Sequence, residues 1–296
     1  MSTATRGGTP RVALVTCRDL PDLEPDDRLL YAPLAARGIT AEPVTWDDPD
    51  VDWAGYRLVI LRSTWDYPAR RDAFLAWARA VPTLVNPAAV ATWNTDKRYL
   101  ARLAAAGVPV VPTRFLEPAD PPWTADTSGE LVVKPAVGVG SGDAGRYDLA
   151  VPAHRRLAER HAARLQAAGR AVLVQPYLAA VDTEGETALI HLAGRYSHAI
   201  RKGPLLVGPD EEVAGLYRPE HISARVATAE QRAVAEAALA AVPGGTDLLY
   251  ARVDVLPGPD GRPYLVELEL TEPSLYLGYA PGAADRLADA IAARVS

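Results

Sequence analysis

Apolar residues run almost without a break through 11–17 (RVALVTC), and the lack of alternation predicts a strand buried on both faces. A stretch rich in Asp and Pro comes next, then a helix ending near Gly38 and strands at 39–46 and 57–63 (RLVILRS). Pro68 sits in the first turn of a helix that runs to about Ala80, and TLVNP at 83–87 reads as a short strand. A further helix is expected from Asn94 or Thr95, either a good N-cap, to Gly107. Strand alternating with helix predicts an open parallel sheet, whose ligands gather beyond the carboxyl ends of the strands. That rule brings Arg18, Asp19 and the segment RSTWDY at 62–67 to one rim.

Past VPVVPTRFL at 108–116 the pattern changes. LVVKPA at 131–136 is a strand leading into a glycine-rich loop, with a helix at 153–168 and the strand AVLVQPYL at 171–178 after it. The last third predicts strands within 186–201, a helix at 228–241, a hairpin at 248–270 and a final helix from 281. The hairpin rests on the turn chemistry of Pro257 to Gly261 between two apolar runs. Residues 203–223 carry Pro and Gly without periodicity and are expected to form a long functional loop.

Composition narrows the class. A chain of 296 residues, 49% hydrophobic and 23% charged, has enough apolar surface for two domains or for one with a lid. A formal charge of −6 argues against a nucleic-acid partner. No apolar run approaches a membrane span, and the opening residues lack a signal-peptide core. Cys17 is the only cysteine, so no internal disulfide is available and a cytoplasmic location is expected. Of 31 basic residues only Lys97, Lys134 and Lys202 are lysines; the other 28 are arginines. Where arginine is the default cation, a lysine marks a place that can need a compact ammonium.

Two constellations carry candidate chemistry. Gly138-Val-Gly-Ser-Gly-Asp-Ala-Gly145 contains a GxGxxG match at 140–145, but no helix comes directly after it, so it does not fit a dinucleotide fingerprint. Gly138, Gly140 and Gly142 instead suit a flap that lays backbone N–H groups over phosphates, with Lys134 on the strand that feeds it. In the predicted hairpin, Glu267 and Glu269 project from one face, roughly 7 Å apart along the strand. Arg252 and Asp254 share a face of the partner strand. Facing carboxylates repel unless a cation lies between them, and Mg²⁺ prefers such oxygen ligands together with water and phosphate. The bland alternative is a solvated sheet face. The five histidines (154, 161, 191, 198 and 221) show no zinc-ligand pattern.

Together these residues resemble the ATP-grasp superfamily in its glutathione-synthetase-like branch, over residues 86–296 with a compatible strand-helix domain ahead. The resemblance implies an α/β (α+β ATP-grasp) fold: an N-terminal open parallel domain (1–90), a small lid subdomain with its leading helix (91–178) and a large C-terminal subdomain (179–296). It further implies that Lys97 and Lys134 bind nucleotide phosphates and that Gln175, Tyr177 and Leu178 form the hinge facing adenine. Glu184 or Glu186 binds ribose; the sequence does not choose between them. Lys202 and Arg252 become the catalytic cations, and Asp254, Glu267 and Glu269 the ligands of two Mg²⁺ ions. The final metal position is commonly Asn in this superfamily and is Glu269 here. STWDYP at 63–68, WNTDKRYL at 93–100 and ELELTEPSLYL at 267–277 resemble, more narrowly, the ligases that close O-ureido-serine to cycloserine. The resemblance thus implies a carboxylate–amine ligase that works on a small amino-acid-like molecule through an acyl phosphate, with relatives that imply a homo-oligomer. Arg18, Arg62, Asp66 and Ser274 are the expected substrate-side residues, while Trp65 and Tyr67 are expected to pack. An amino-acid or dipeptide ligase of the same fold, or a non-catalytic nucleotide- or metabolite-binding protein, remains open. A kinase-like enzyme is disfavoured, because its lysine comes after the glycine loop instead of preceding it.

Overall fold

The computed structural model describes residues 9–209, 220–244 and 247–296. Strands β1 (Arg11–Thr16), β2 (Thr40–Thr45), β3 (Leu58–Ser63) and β4 (Leu84–Val85) form a four-stranded parallel sheet in the order β2-β1-β3-β4. The unbroken apolar run of β1 has the expected cause, since successive side chains enter two different cores. Val12 and Leu14 join Leu58 and Ile60 on one face, and Ala13 and Val15 join Val59 and Leu61 on the other. The second face is covered by α2 (Arg71–Ala80) through Phe74, Leu75 and Ala78. The first face packs against the C-terminal part of the chain, together with α1 (Tyr31–Ala36).

A second sheet, in the order β5-β8-β6-β7, is antiparallel and contains β5 (Arg114–Leu116), β6 (Glu130–Pro135), β7 (Gly145–Asp148) and β8 (Val172–Pro176). Its apolar face is closed by α5 (Pro152–Ala167) through Ala158, Ala162 and Leu165. The third sheet, β11-β10-β9-β12-β13, is also antiparallel. It comprises β9 (Glu186–Leu192), β10 (Arg195–Lys202), β11 (Ile222–Arg225), β12 (Tyr250–Pro257) and β13 (Pro263–Glu269). One face meets the parallel sheet and α7 (Ala283–Val295); the other meets α4 (Tyr99–Ala105) and α6 (Ala229–Ala240), the latter opened by a Thr228–Gln231 capping box.

The helix expected to begin at Asn94 or Thr95 begins later. Asn94 closes α3 (Ala88–Asn94), and its amide is buried between strands, donating to Leu268 O at 2.8 Å and accepting from Leu270 N at 2.7 Å. Asn86 plays a similar part ahead of α3, bonding Tyr250 O, Leu270 O and Leu249 N. Both asparagines satisfy backbone groups at the ends of β12 and β13, a use that outranks capping because those groups are buried. The helix does stop where expected, with Gly107 at φ +88°. Of the loop predicted at 203–223, β11 occupies the end and residues 210–219 lie outside the described residues. Among the described residues no helix is long and apolar enough to cross a membrane.

Candidate active site

A cleft of about 430 Å³ is lined by residues of the two antiparallel sheets and of the rim of the parallel one. The hairpin of β12 and β13 forms its floor. Cross-strand register sets Arg252 opposite Glu269 and Asp254 opposite Glu267, so the four side chains share one face. Lys202, the last residue of β10, reaches this face from the strand beyond β9, and Lys134 reaches it from β6 of the small sheet. Lys97, between α3 and α4, completes the ring; its Nζ lies 2.9 Å from Glu267 Oε1 and donates to Gly138 O at 2.8 Å. The three lysines therefore open into one cleft, and Asp254 neighbours Glu267.

Charge in the cleft is arranged unevenly. Asp254, wholly buried, accepts from Arg252 Nε at 3.0 Å and from Lys202 Nζ at 2.7 Å; burial would raise its carboxyl, but these two cations hold it well below the usual range. Lys202 also pairs with Glu186. One ammonium cannot neutralise two carboxylates, so burial and the Asp254 charge drive Glu186 upward while Asp254 keeps its charge. Glu269, paired with Arg252, is raised by burial, with Glu267 and Asp254 adding to it. Glu267 is held below its ordinary value, because Lys97 and Lys134 outweigh burial. Lys134 is lowered by burial and by its like-charged neighbours, and it makes no hydrogen bond or ion pair with any described residue. Among the described cations of the cleft it is the one whose side chain has no protein partner.

Gly138, Gly140 and Gly142 line the cleft, and the backbone at Gly140, Ser141 and Asp143 is left-handed, with φ of +58°, +58° and +54°. The base of this glycine loop is anchored by Asp143, which pairs with Arg164 at 3.2 Å and with Arg170. Gln175, Tyr177 and Leu178 line an apolar recess of the cleft with Val111, Leu256 and Val266. Gln175 donates to Thr113 Oγ1 at 2.8 Å, and Tyr177 lies under the Arg146 guanidinium. Of the two ribose candidates, Glu186 lines the cleft, while Glu184 is exposed and uses its carbonyl to hold Arg201 and Arg225.

Three of the four substrate-side expectations fall elsewhere. Arg62 is fully buried, bonded to Asp27 at 2.8 Å and to Pro273 O at 2.7 Å, over the Tyr250 ring. It fastens the parallel sheet to the segment after β13. Arg18 pairs on the surface with Asp47, and Asp66 is taken by Arg70 and Trp46 Nε1. Ser274 does line the cleft, and its carbonyl accepts from Arg252 at 3.2 Å. Trp65 and Tyr67, expected only to pack, also line it. Unforeseen lining residues at this end are Glu24, Asp26, Glu220, Glu272, Tyr276 and Tyr279. Only ELELTEPSLYL contained a signal for any of them, since Glu272 and Tyr276 continue the run from the metal-type acids.

Among the described residues no three acids converge tightly enough to hold an ion by themselves. Glu267 and Glu269 nevertheless present partly exposed carboxylates, 25% and 26%, on the same cleft wall, a hard-oxygen donor set that fits Mg²⁺ completed by water and phosphate.

The class emerges from the fold. The chain resembles the ATP-grasp ligase PsnB complexed with a phosphomimetic precursor variant, Mg and ADP, with a TM-score of 0.63 at 19% identity over 97% of this chain and 99% of that one. It has the fold of the ATP-grasp ligases and is an ATP-dependent ligase. Within that class, residues 12–89 match the family described as D-cycloserine synthetase DcsG, N-terminal domain. The cycloserine biosynthesis protein DcsG of Streptomyces lavendulae is 43% identical over 275 residues, covering 87% of this chain and 90% of that protein. The crystal structure of D-cycloserine synthetase DcsG superposes with a TM-score of 0.86 at 40% identity, over 97% of this chain and 100% of that one. The chain belongs to the DcsG family.

Proposed function

We propose that this protein uses Mg–ATP to activate the carboxylate of O-ureido-serine and closes it to cycloserine. The observation that carries the nucleotide half is the convergence of Lys97, Lys134 and Lys202 with Arg252, Asp254, Glu267 and Glu269 at one cleft. The substrate half rests on membership of the DcsG family.

Adenine would occupy the recess at Gln175, Tyr177 and Leu178, and Glu186, the ribose candidate that lines the cleft, would meet the ribose. The triphosphate runs beneath the Gly138–Gly142 flap toward Arg252. Asp254, Glu267 and Glu269 would hold Mg²⁺, which offsets phosphate charge and polarises the transferring group. Four cations (Lys97, Lys134, Lys202 and Arg252) and eight carboxylates (Glu24, Asp26, Glu186, Glu220, Asp254, Glu267, Glu269 and Glu272) lie in or against the cleft. Two Mg²⁺ with one ATP tetra-anion add no net charge to that balance, which favours two ions over one. The substrate carboxylate attacks the γ-phosphorus, ADP leaves, and Arg252 and Lys202 meet the developing charge. The oxygen-bound ureido nitrogen then attacks the acyl carbon: a C–N bond forms, the C–O bond to phosphate breaks, and a five-membered ring closes. Water removes the carbamoyl group from that nitrogen as carbon dioxide and ammonia, leaving cycloserine. Glu24, Asp26 and Glu220 offer counter-charge for the substrate's α-ammonium; burial raises the first two, a cost that an incoming cation relieves.

A lid made of the small sheet would exclude water from the acyl phosphate. The moving unit is proposed to begin after α4, not at residue 91, because α4 packs beneath the large sheet. The test is oxygen transfer. With substrate labelled by ¹⁸O in its carboxylate, one label per turnover is expected in the inorganic phosphate; unlabelled phosphate alongside cycloserine rules out the acyl phosphate.

A further inference from the structure

Glu272 stands at the cleft on the segment leaving β13, outside the acids that the hairpin pattern singles out. It is buried, with 9% of its surface exposed. Its backbone is fixed from the parallel sheet, where Trp65 Nε1 donates to Glu272 O at 3.0 Å. The same rim supplies Tyr67, also buried, which stacks on Phe74 and whose hydroxyl lies near enough to the Glu272 carboxyl to favour its ionised form. Trp65, Tyr67 and Glu272 all line the cleft, and the chain runs from Val266 of the apolar recess past Glu267 and Glu269 before it reaches Glu272. Unlike Asp254, Glu267 and Glu269, Glu272 forms no ion pair with any described cation.

Ring closure poses a proton problem that the phosphate-binding groups do not solve. The attacking nitrogen carries a hydrogen of weak acidity, and as the C–N bond forms that proton must leave. Lys97, Lys202 and Arg252 are cations held in pairs and cannot accept it. Asp254 and Glu267 are engaged by cations, which makes them poor bases.

We infer that Glu272, held by Tyr67, is the general base that takes the proton from the ring-closing nitrogen. This rests on the acyl-phosphate reading above. The electron pair of the N–H bond becomes the new C–N bond, the pair of the acyl C–O bond leaves with phosphate, and the proton resides on Glu272 until product departs. Burial, only partly offset by Tyr67, pushes the Glu272 carboxyl up to about 7, which makes it a stronger base than a solvated glutamate yet still largely ionised at mildly alkaline pH. The hydroxyl of Tyr67 favours the ionised form, so it acts as a positioning and tuning residue.

The two half-reactions separate cleanly. Positional isotope exchange in β,γ-bridge-labelled ATP reports acyl-phosphate formation alone, and hydroxylamine traps the acyl phosphate without needing an enzymic base. For Glu272→Gln, cycloserine formation is expected to fall by about 10²–10⁴-fold while isotope exchange and hydroxamate formation stay within about threefold of wild type. Loss of exchange together with cyclisation, in a protein with an unchanged melting temperature, overturns the role. Tyr67→Phe supplies an independent arm: the acidic limb of the cyclisation pH profile should move to higher pH with hydroxamate formation unchanged, and an unmoved limb counts against the dyad. Absence of exchange in the wild-type enzyme with O-ureido-serine would instead refute the acyl phosphate itself.

Discussion

Lys134 is the residue on which the proposed nucleotide site most depends. It is half-buried among charges, its side chain pairs with no described residue, and it is lowered by desolvation and by Lys97 and Lys202. In the proposed site a ligand phosphate supplies that partner. Lys134→Ala is therefore expected to reduce ADP formation at least about 10²-fold, the scale of losing one electrostatic contact to a transferring phosphoryl group. Lys134→Arg should fare little better, because the planar guanidinium does not replace a point charge in a narrow site. Substrate-dependent ADP release in both variants, with melting curves alongside, checks this. Asp254 behaves differently, since Asp254→Asn leaves Arg252 and Lys202 without their shared carboxylate. The expected cost is about 3–5 kcal/mol of stability in addition to lost activity. Glu267→Gln, on a side chain 25% exposed, should change melting little and raise the Mg²⁺ concentration needed for turnover. The lysines were legible in the sequence because they break an arginine habit. Arg18, Arg62 and Asp66 misled because an arginine at a strand end looks the same whether it faces a ligand or, like Arg62, a buried aspartate 35 positions away.

At the scale of elements, the flap and the hairpin were readable and the asparagines were not. Alternation in β12 and β13 set which side chains share a face, and register then came from the Pro257–Gly261 turn. Asn86 and Asn94 bond carbonyls and amides 163 to 184 residues away, and no local pattern carries such partners. The flap also has an anchor that spacing does not reveal: Asp143 is held by Arg164 and Arg170 at its base. Asp143→Ala should leave overall stability nearly unchanged, because these pairs are about one-third exposed or more, and should loosen the glycines over the phosphates. A several-fold rise in KM for ATP with a smaller change in kcat is expected from steady-state kinetics; an unchanged KM means the loop holds its shape without the anchor.

The whole molecule brings three sheets around one acid-rich cleft, and the balance of charge there has a consequence for stability. The Glu272 carboxyl is pushed up to about 7 by burial, above its ordinary 4.5. Between those values the unfolded chain ionises it while the fold does not, so its contribution is complete below the ordinary value and is lost as pH rises through about 7. Glu186 and Glu269 are shifted in the same direction. Asp254 and Glu267, shifted down, act oppositely, and their contribution is lost only in acid. The nucleotide-free protein is thus expected to melt highest at mildly acidic pH, with Tm falling as pH rises from about 4.5 toward 7, and Glu272→Gln should flatten that fall; parallel curves for the two proteins over this range would exclude the raised carboxyl.

That scarce lysines and hairpin acids serve a single Mg–ATP for ring closure is tested most directly by turnover stoichiometry. Wild-type protein given O-ureido-serine, ATP and Mg²⁺ should release ADP, phosphate and cycloserine in equal amounts, with none formed when Mg²⁺ is chelated. ADP release that ignores O-ureido-serine, or that tracks a dipeptide from a panel of amino acids, would contradict it.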